Sequence, residues 1–246
     1  MSTIMEPTLD KSSTRVRRMF GEIAPRYDFL NHLLSMNIDR YWRWRTVRTV
    51  PPQSGGGPIL DVCTGTGDLA LAYDKAAGGD LPIVAADFCH EMLRLGNEKS
   101  KRRGNGERVA FVEGDAEELP LADNQFQIVS VAFGLRNVAN TDRGLAEMTR
   151  VCQPGGKVAV LEFTTPRRQP LKAIYGWYFR NVLPKIGQWF MRNDSAAYEY
   201  LPESVGGFLQ YQELVDHMKT AGLYNVRFFP MTFGVATLYV GEKPNP

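Results

Sequence analysis

The chain has 246 residues, of which 43% are hydrophobic and 23% are charged, and its formal net charge is +2. Such a composition is typical of a soluble protein with one domain, or one domain plus an elaboration, and it gives no reason to expect a nucleic-acid partner. The cysteines, Cys63, Cys89 and Cys152, lack the spacing of a metal site or disulfide framework, which indicates a reducing compartment. No apolar run approaches the roughly 18 residues of a spanning helix, and residues 1–11 do not resemble a signal peptide. We therefore expect a cytoplasmic protein.

The N-terminal part predicts a tail followed by helices. Residues 1–12 are polar and aperiodic, which predicts a disordered tail. Residues 13–52 form a predicted N-terminal helical segment, in which Pro25 ends the first helix and further helices cover about 26–34 and 38–50.

The third of these helices has an unusual composition, because residues 40–45 interleave three arginines with three aromatic residues. Such a face could bind nucleic acid by stacking or lie on an anionic membrane. It could also cover a sheet with its aromatic rings while the arginines stay in water. The sequence leaves these three interpretations open.

The remainder, residues 53–246, alternates strands and helices and predicts a doubly wound α/β domain with a mostly parallel, Rossmann-like sheet. Residues 153–156 predict a turn, and residues 166–200 predict an inserted helical cover rich in aromatic residues. The last two predicted strands are close in sequence and predict an antiparallel hairpin at the sheet edge. The predicted strands cover residues 59–62, 83–87, 109–112, 127–133, 157–163, 224–229 and 236–241, and the intervening helices cover 68–77, 90–103, 141–151 and 210–221.

A glycine turn follows the first of these strands and predicts a ligand site. Gly65 and Gly67 allow positive φ and a close approach to the backbone, at the sheet edge where open α/β folds bind ligands. With Ala70 they satisfy a dinucleotide fingerprint, and Asp87, 22 residues after Gly65, is placed to bind a ribose. NAD and S-adenosylmethionine both carry an adenosine, so these residues alone favour neither.

The third predicted strand ends at a segment that favours S-adenosylmethionine over NAD. Residues 114–120 place Asp115 on the same rim, where it can meet an adenine edge. Together with Asp61, the glycine turn and the terminal hairpin, this segment resembles the class I S-adenosylmethionine-dependent methyltransferases over residues 59–164 and 208–241. By that resemblance we expect the cofactor-binding residues to be Asp61, Gly65, Thr66, Gly67, Asp87, Asp115 and Ala116.

A narrower resemblance rests on residues 18–28, Asn31, residues 39–43, Phe-Gly-Leu-Arg-Asn at 133–137, and residues 160–163. From about residue 15 the chain resembles the quinone-biosynthesis C-methyltransferases of the UbiE/MenG type. The resemblance implies a seven-stranded sheet with helices on both faces and an antiparallel last strand. The implied substrate is demethylmenaquinol, or a polyprenyl methoxy-benzoquinol, methylated on a ring carbon. The sequence departs from the family pattern at Cys63-Thr64 and at Ala132.

Methylation of a ring carbon requires a deprotonated phenol and a stabilised oxyanion. We expect Arg136 to face the developing phenolate and Asn137 to orient the quinol oxygen, with Tyr27 as a proton relay. An arginine is a poor general base because its pKa exceeds ~12. No metal is suggested.

The prenyl tail requires an apolar path, which the cover at 166–200 and the aromatic helix could form. The cationic residues could then meet an anionic membrane at its inner face. A homodimer is compatible with the sequence. Two other functions remain open: an NAD-dependent oxidoreductase, and a non-catalytic scaffold of a quinone-synthesis complex.

Overall fold

The fold is built on one mixed β-sheet. The computed structural model describes residues 12–105, 108–178, 181 and 196–245. Within them the sheet has seven strands in the order β3-β2-β1-β4-β5-β7-β6. Strands β1 to β5 pair in parallel, whereas β7 is antiparallel to both neighbours. The strands are β1 (Ile59–Val62), β2 (Ile83–Asp87), β3 (Val109–Glu113), β4 (Phe126–Ala132), β5 (Cys152–Phe163), β6 (Tyr224–Met231) and β7 (Ala236–Glu242). This confirms the predicted sheet, including its antiparallel last strand and edge hairpin.

Helices cover both faces of the sheet, as predicted, because successive residues of the buried strands point to opposite sides. Leu60 packs in a core with helices α6 and α9, whereas Ile59 packs in a second core with α3 and α4. The helices are α1 (Ser13–Ile23), α2 (Tyr27–Leu34), α3 (Ile38–Thr49), α4 (Asp68–Ala76), α5 (His90–Arg102), α6 (Thr141–Val151), α7 (Leu171–Trp177), α8 (Ala196–Gly206) and α9 (Gln212–Thr220).

The predicted cover is helical where it is described. Helix α7 and the first residues of α8 fall within residues 166–200, whereas residues 179–180 and 182–195 lie outside the described residues. The predicted tail also lies outside them, apart from residue 12.

The turn predicted at residues 153–156 is instead a bulge inside β5. Phe126 pairs with Cys152, and the next pair of the register joins Ile128 to Lys157, so four residues of β5 lie opposite one residue of β4. Gly155 has φ +72° there, which is the backbone freedom that suggested a turn. A bulge adds residues to one strand without ending the pairing, and for this reason the local sequence resembled a turn.

The aromatic helix α3 is divided between core and surface. Trp42 is 2% exposed, packs against Phe163 and donates a hydrogen bond from Nε1 to Oγ1 of Thr232 at 2.7 Å. Tyr41 and Trp44 are exposed and lie against each other. Trp42 therefore covers the sheet, as the third interpretation expected. That interpretation does not hold for Tyr41 and Trp44, nor for Arg43, whose side chain is largely buried.

Candidate active site

The glycine turn leaves the carboxyl end of β1 in a conformation that only small residues adopt easily. Gly65 and Gly67 have φ of +57° and +81°. The N–H of Gly65 donates to Oδ2 of Asp87 at 2.8 Å, which fixes the turn against the end of β2. A Cβ on Gly67 would lie 2.9 Å from Cζ of Phe111, so this glycine is also required by packing.

A pocket of about 690 Å³, which we call the cofactor-side pocket, opens at this edge of the sheet. Its wall combines backbone of the glycine turn with polar side chains from the ends of β2 and β3. Four of the predicted cofactor residues line it, together with Tyr27 and Asn137: Gly65, Asp87, Asp115 and Ala116.

Asp87 is the buried carboxylate of this pocket. Its Oδ1 accepts the N–H of Cys89 at 2.9 Å, in addition to the Gly65 bond on Oδ2. Burial raises the pKa of Asp87 to about 6, although these backbone donors oppose the shift. A carboxylate has about four lone-pair sites, so Asp87 can still accept hydroxyl donors of a ligand.

Three other predicted cofactor residues, Asp61, Thr66 and Gly67, lie outside the wall of this pocket. Asp61 accepts hydrogen bonds from Oγ1 of Thr64 at 2.6 Å and from Oγ of Ser130 at 2.9 Å. Burial raises its pKa to about 6. The carboxylate thus ties the turn to β4 from behind.

Thr66 also supports the turn from behind. Its hydroxyl donates to Asp28 of α2 and accepts a hydrogen bond from Nζ of Lys99 at 2.9 Å. Lys99 bonds Asp28 as well, at 2.6 Å, so this cluster clamps the N-terminal helical segment to the glycine turn.

A second and larger pocket of about 1250 Å³, which we call the acceptor-side pocket, adjoins the first. Tyr27 and Phe133 line both, so the two spaces meet at these side chains. The second wall is mostly aromatic and aliphatic, with contributions from Trp42, Phe163 and Ile174. The cofactor-side pocket also has apolar lining residues such as Phe88 and Met92. Such a pair of pockets suits a ligand with polar and apolar parts on one side and a largely apolar ligand on the other.

Arg136 lines the acceptor-side pocket, as expected for a residue that meets the acceptor. It is buried, and its Nη1 lies 3.0 Å from Oε2 of Glu162 and also donates to the carbonyl of Phe133. Its Nε is buried without a hydrogen-bond partner among the described residues. The guanidinium is therefore held by β5 through Nη1, and Nε remains available as a donor.

Asn137 lies differently from what its predicted role suggests, whereas the position of Tyr27 is compatible with its predicted role. Asn137 lines the cofactor-side pocket rather than the acceptor-side pocket, and its Oδ1 is buried without a hydrogen-bond partner in the part of the chain that is described. Tyr27 stands between the pockets. Burial raises its pKa, although a hydrogen bond with Asn31 and the charge of Arg136 oppose the shift. Its hydroxyl is thus protonated at neutral pH.

Comparison with known proteins identifies the family. Residues 8–243 match the model of the ubiE/COQ5 methyltransferase family. The chain belongs to this family. It is 44% identical over 235 residues to the ubiquinone/menaquinone biosynthesis C-methyltransferase UbiE of Geobacter sp. (strain M21), covering 96% of this chain and 99% of that protein. It is 42% identical to the demethylmenaquinone methyltransferase of Chlorobaculum parvum (strain DSM 263 / NCIMB 8327), covering 95% and 94%. The predicted family is confirmed.

Solved structures support the fold. A possible histamine N-methyltransferase from Thermotoga maritima aligns with a TM-score of 0.63 at 18% identity, over 92% of this chain and 98% of the other. The [4+2]-cyclase SpnF aligns with a TM-score of 0.70 at 16% identity, over 95% and 97%. Because a cyclase shares the architecture, the fold alone does not specify methyl transfer, and the family match carries that conclusion.

The ubiE/COQ5 chain also has a buried polar network that the sequence did not assign to the site. Asp39 and Arg43 line the acceptor-side pocket, and Arg43 contacts Asp39 through Nη1 and Asp68 through Nη2 at 3.5 Å. Ligand atoms of His32, Asp39 and Asp68 lie within 4.8 Å of one another. Positive charge is supplied by Arg43 and by Lys99, whose Nζ lies 2.9 Å from Oδ1 of Asp68. The motif at residues 39–43 was visible in the sequence, but its partners lie on other elements.

Proposed function

We propose that this methyltransferase moves the methyl group of S-adenosylmethionine to a ring carbon of demethylmenaquinol, with a polyprenyl methoxy-benzoquinol as the second candidate acceptor. The observation that carries the proposal is the pair of pockets that share Tyr27 and Phe133. The two relatives described above both have menaquinone in their names, which favours the naphthoquinol.

The cofactor-side pocket fits S-adenosylmethionine in its donor and acceptor groups. Asp87 would accept hydrogen bonds from ribose hydroxyls, and the glycine turn at Gly65 leaves room for a close approach. The unpartnered Oδ1 of Asn137 is a buried acceptor that a ligand donor would satisfy. When bound, S-adenosylmethionine supplies an electrophilic methyl group on a sulfonium.

In the acceptor-side pocket Arg136 would stabilise the negative charge that develops on the phenol oxygen. Its Nε is a buried donor without a partner among the described residues, and a fixed donor in an apolar pocket stabilises charge more than it would in water. The pair with Glu162 holds the guanidinium in place. Tyr27 remains the candidate relay, because its side chain lines both pockets.

The mouth of the acceptor-side pocket supports a peripheral contact with an anionic membrane. Met36, Ile174 and Phe233 line this pocket yet are 72%, 58% and 79% exposed. Lys172, which follows Leu171 of the pocket wall, and Arg168, three residues before Leu171, are exposed cations that would meet anionic headgroups. Among the described residues no helix is both long and apolar enough to cross a bilayer. A prenyl tail could then enter the pocket directly from the lipid.

The test uses a matched naphthoquinol and benzoquinol with the same short prenyl tail, kept reduced, and S-adenosylmethionine with a labelled methyl group. We expect methylated naphthoquinol, identified by mass spectrometry, at a higher kcat/KM than methylated benzoquinol. Calorimetry with S-adenosylhomocysteine and with NAD distinguishes the oxidoreductase. Binding of S-adenosylhomocysteine without turnover of either quinol would favour the scaffold.

A further inference from the structure

The acceptor-side pocket contains one negatively charged side chain among its described lining residues. Asp39 is 2% exposed and lines the pocket, whose other polar groups include the N–H donors of Arg43 and Arg136 and the amide of Asn31, which can both donate and accept. Donors can bond any oxygen of an aromatic ligand. An ionised carboxylate only accepts hydrogen bonds. It can therefore bond a ligand oxygen only if that ligand oxygen carries a hydrogen.

The hydrogen bonds of Asp39 leave capacity on one oxygen. Oδ2 lies 2.8 Å from Nδ1 of His32 and accepts a hydrogen bond from Nη1 of Arg43. Oδ1 accepts one hydrogen bond within the described chain, from Oγ of Ser35 at 2.6 Å. Because a carboxylate has about four lone-pair sites, the remaining one belongs to Oδ1.

Asp39 stays ionised at neutral pH. Burial would raise its pKa, but the hydrogen bond from Ser35 and the charges of Arg43 and His32 hold the pKa of Asp39 below its usual value. The side chain thus remains an acceptor throughout the range in which the protein is assayed. A ligand oxygen without a hydrogen would meet a charged oxygen at this position and find no donor.

We propose that Asp39 selects the reduced acceptor, a quinol, over the corresponding quinone; this inference rests on the proposed function of the pocket. A quinol hydroxyl donates to Oδ1, whereas a quinone carbonyl can only accept and is repelled. The selection matters for the reaction, because a quinone ring is not nucleophilic and would occupy the pocket unproductively. A hydrogen bond to a charged group changes affinity by about tenfold or more.

The probes are 2,3-dimethyl-1,4-naphthoquinone and its quinol. Both ring positions are substituted, so neither compound can be methylated there or alkylate a cysteine. Binding is measured anaerobically by calorimetry with S-adenosylhomocysteine present. We expect the wild-type protein to bind the quinol about tenfold or more tightly than the quinone.

Asp39→Asn should reduce or invert this ratio. Its amide oxygen can replace Oδ2 toward Arg43 and His32, and its NH2 can then donate to Ser35 and to a quinone carbonyl. His32→Gln is the matched control, because it changes a partner of the same carboxylate outside the described pocket wall and should retain the preference for the quinol. Circular dichroism checks that each variant is folded.

Equal wild-type affinity for quinol and quinone, or an unchanged ratio in folded Asp39→Asn, would overturn the assignment. If Asp39→Asn does not fold, 1,4-dimethoxynaphthalene and 1,4-dihydroxynaphthalene test the wild-type protein instead. The ether has no hydroxyl hydrogen and should bind about tenfold or more weakly than the diol; equal binding would reject the role of Asp39. Failure of the proposed function looks different, since neither quinol would then be methylated whatever the binding ratio.

Discussion

Nη1 of Arg136 lies 3.0 Å from Oε2 of Glu162, and both side chains are almost completely excluded from solvent. Glu162 also accepts the N–H of Arg136 at 3.2 Å and the N–H of Phe163 at 3.1 Å. The pair thereby joins the short helix Leu135–Asn137 to the end of β5. A guanidinium held in this way is preorganised for a ligand oxygen, but it also contributes to the stability of the fold.

A double-mutant cycle separates the two contributions. Arg136→Met or Glu162→Gln alone leaves one buried charge without its partner and should lower the free energy of unfolding by about 3–5 kcal/mol. The double variant should recover part of this loss, because neither charge remains, yet it should have no turnover. Urea unfolding and a methyl-transfer assay measure the two quantities. Turnover in the folded double variant would exclude Arg136 from stabilising the phenolate.

The affinity for S-adenosylhomocysteine should fall as the pH is lowered through about 6. Burial raises the pKa of Asp87 to about 6, and the protonated carboxyl is a weaker acceptor for ribose hydroxyls. Asp87→Asn should weaken binding at pH 8 and remove this pH dependence. Asp61→Asn is the matched comparison, because Asp61 has a similar pKa but lies behind the glycine turn. Calorimetry between pH 5 and 8 measures the affinity of each variant. If the pH dependence of binding disappears only in Asp61→Asn, it arises from Asp61 and not from Asp87.

Stability should respond to the pKa of Asp61 with a defined sign. Its native pKa of about 6 exceeds the usual aspartate value of 3.8, so between these pH values the native state binds more protons than the unfolded chain. Asp61 therefore contributes about 3 kcal/mol to the free energy of unfolding at low pH, and this contribution is lost as the pH rises through about 6. Relative to the wild type, Asp61→Asn should therefore gain stability from pH 4 to 7. Urea unfolding at both pH values measures it, and an unchanged difference would show that Asp61 titrates normally.

Gly67→Ala should impair both folding and cofactor binding. The φ of +81° is strained for alanine by about 1–2 kcal/mol, and the new Cβ would lie 2.9 Å from Phe111. Gly104→Ala is the matched control, because Gly104 has φ +76° with nothing within 4 Å of the added Cβ. It should show the strain alone and bind S-adenosylhomocysteine normally. Equal effects of the two substitutions would reject the packing role of Gly67.

The sequence predicted the pocket residues that lie at the carboxyl ends of successive parallel strands. Gly65, Asp87 and Asp115 could be placed in one pocket because the carboxyl ends of parallel strands share an edge. The sequence could not distinguish residues that line the pocket from residues that support the glycine turn. Asp61 is next to the turn in sequence, but its side chain points to Thr64 and Ser130. That distinction depends on side-chain direction, which a motif does not contain.

The N-terminal network was harder to predict for a related reason. Asp39 and Arg43 are one helical turn apart, so their pairing is local. The contacts of Arg43 with Asp68, and of Lys99 with Asp28, join residues distant in sequence. Such contacts depend on how the helices pack over the sheet. The motif at residues 39–43 therefore indicated the family without indicating that Asp39 lines the acceptor-side pocket.

Membrane contact should depend on the apolar mouth of the acceptor-side pocket. The double variant Met36→Ser/Phe233→Ser removes two of its exposed apolar side chains. It should reduce flotation with anionic liposomes several-fold, because each Å² of apolar surface buried in lipid contributes about 25 cal/mol to binding. Tyr224→Ser is the control, because Tyr224 is also exposed but begins β6, whereas Phe233 follows the end of that strand.

Charge should contribute to the same contact, since each Lys or Arg near an anionic surface adds about 1 kcal/mol. Wild-type flotation should therefore be weaker with neutral liposomes and at high salt. Turnover of a short-tailed quinol in solution should be less affected by the double variant than turnover of a long-tailed quinol in liposomes. If the wild-type protein does not float with anionic liposomes, or if the double variant floats equally well, the mouth of the pocket is not a membrane-binding surface.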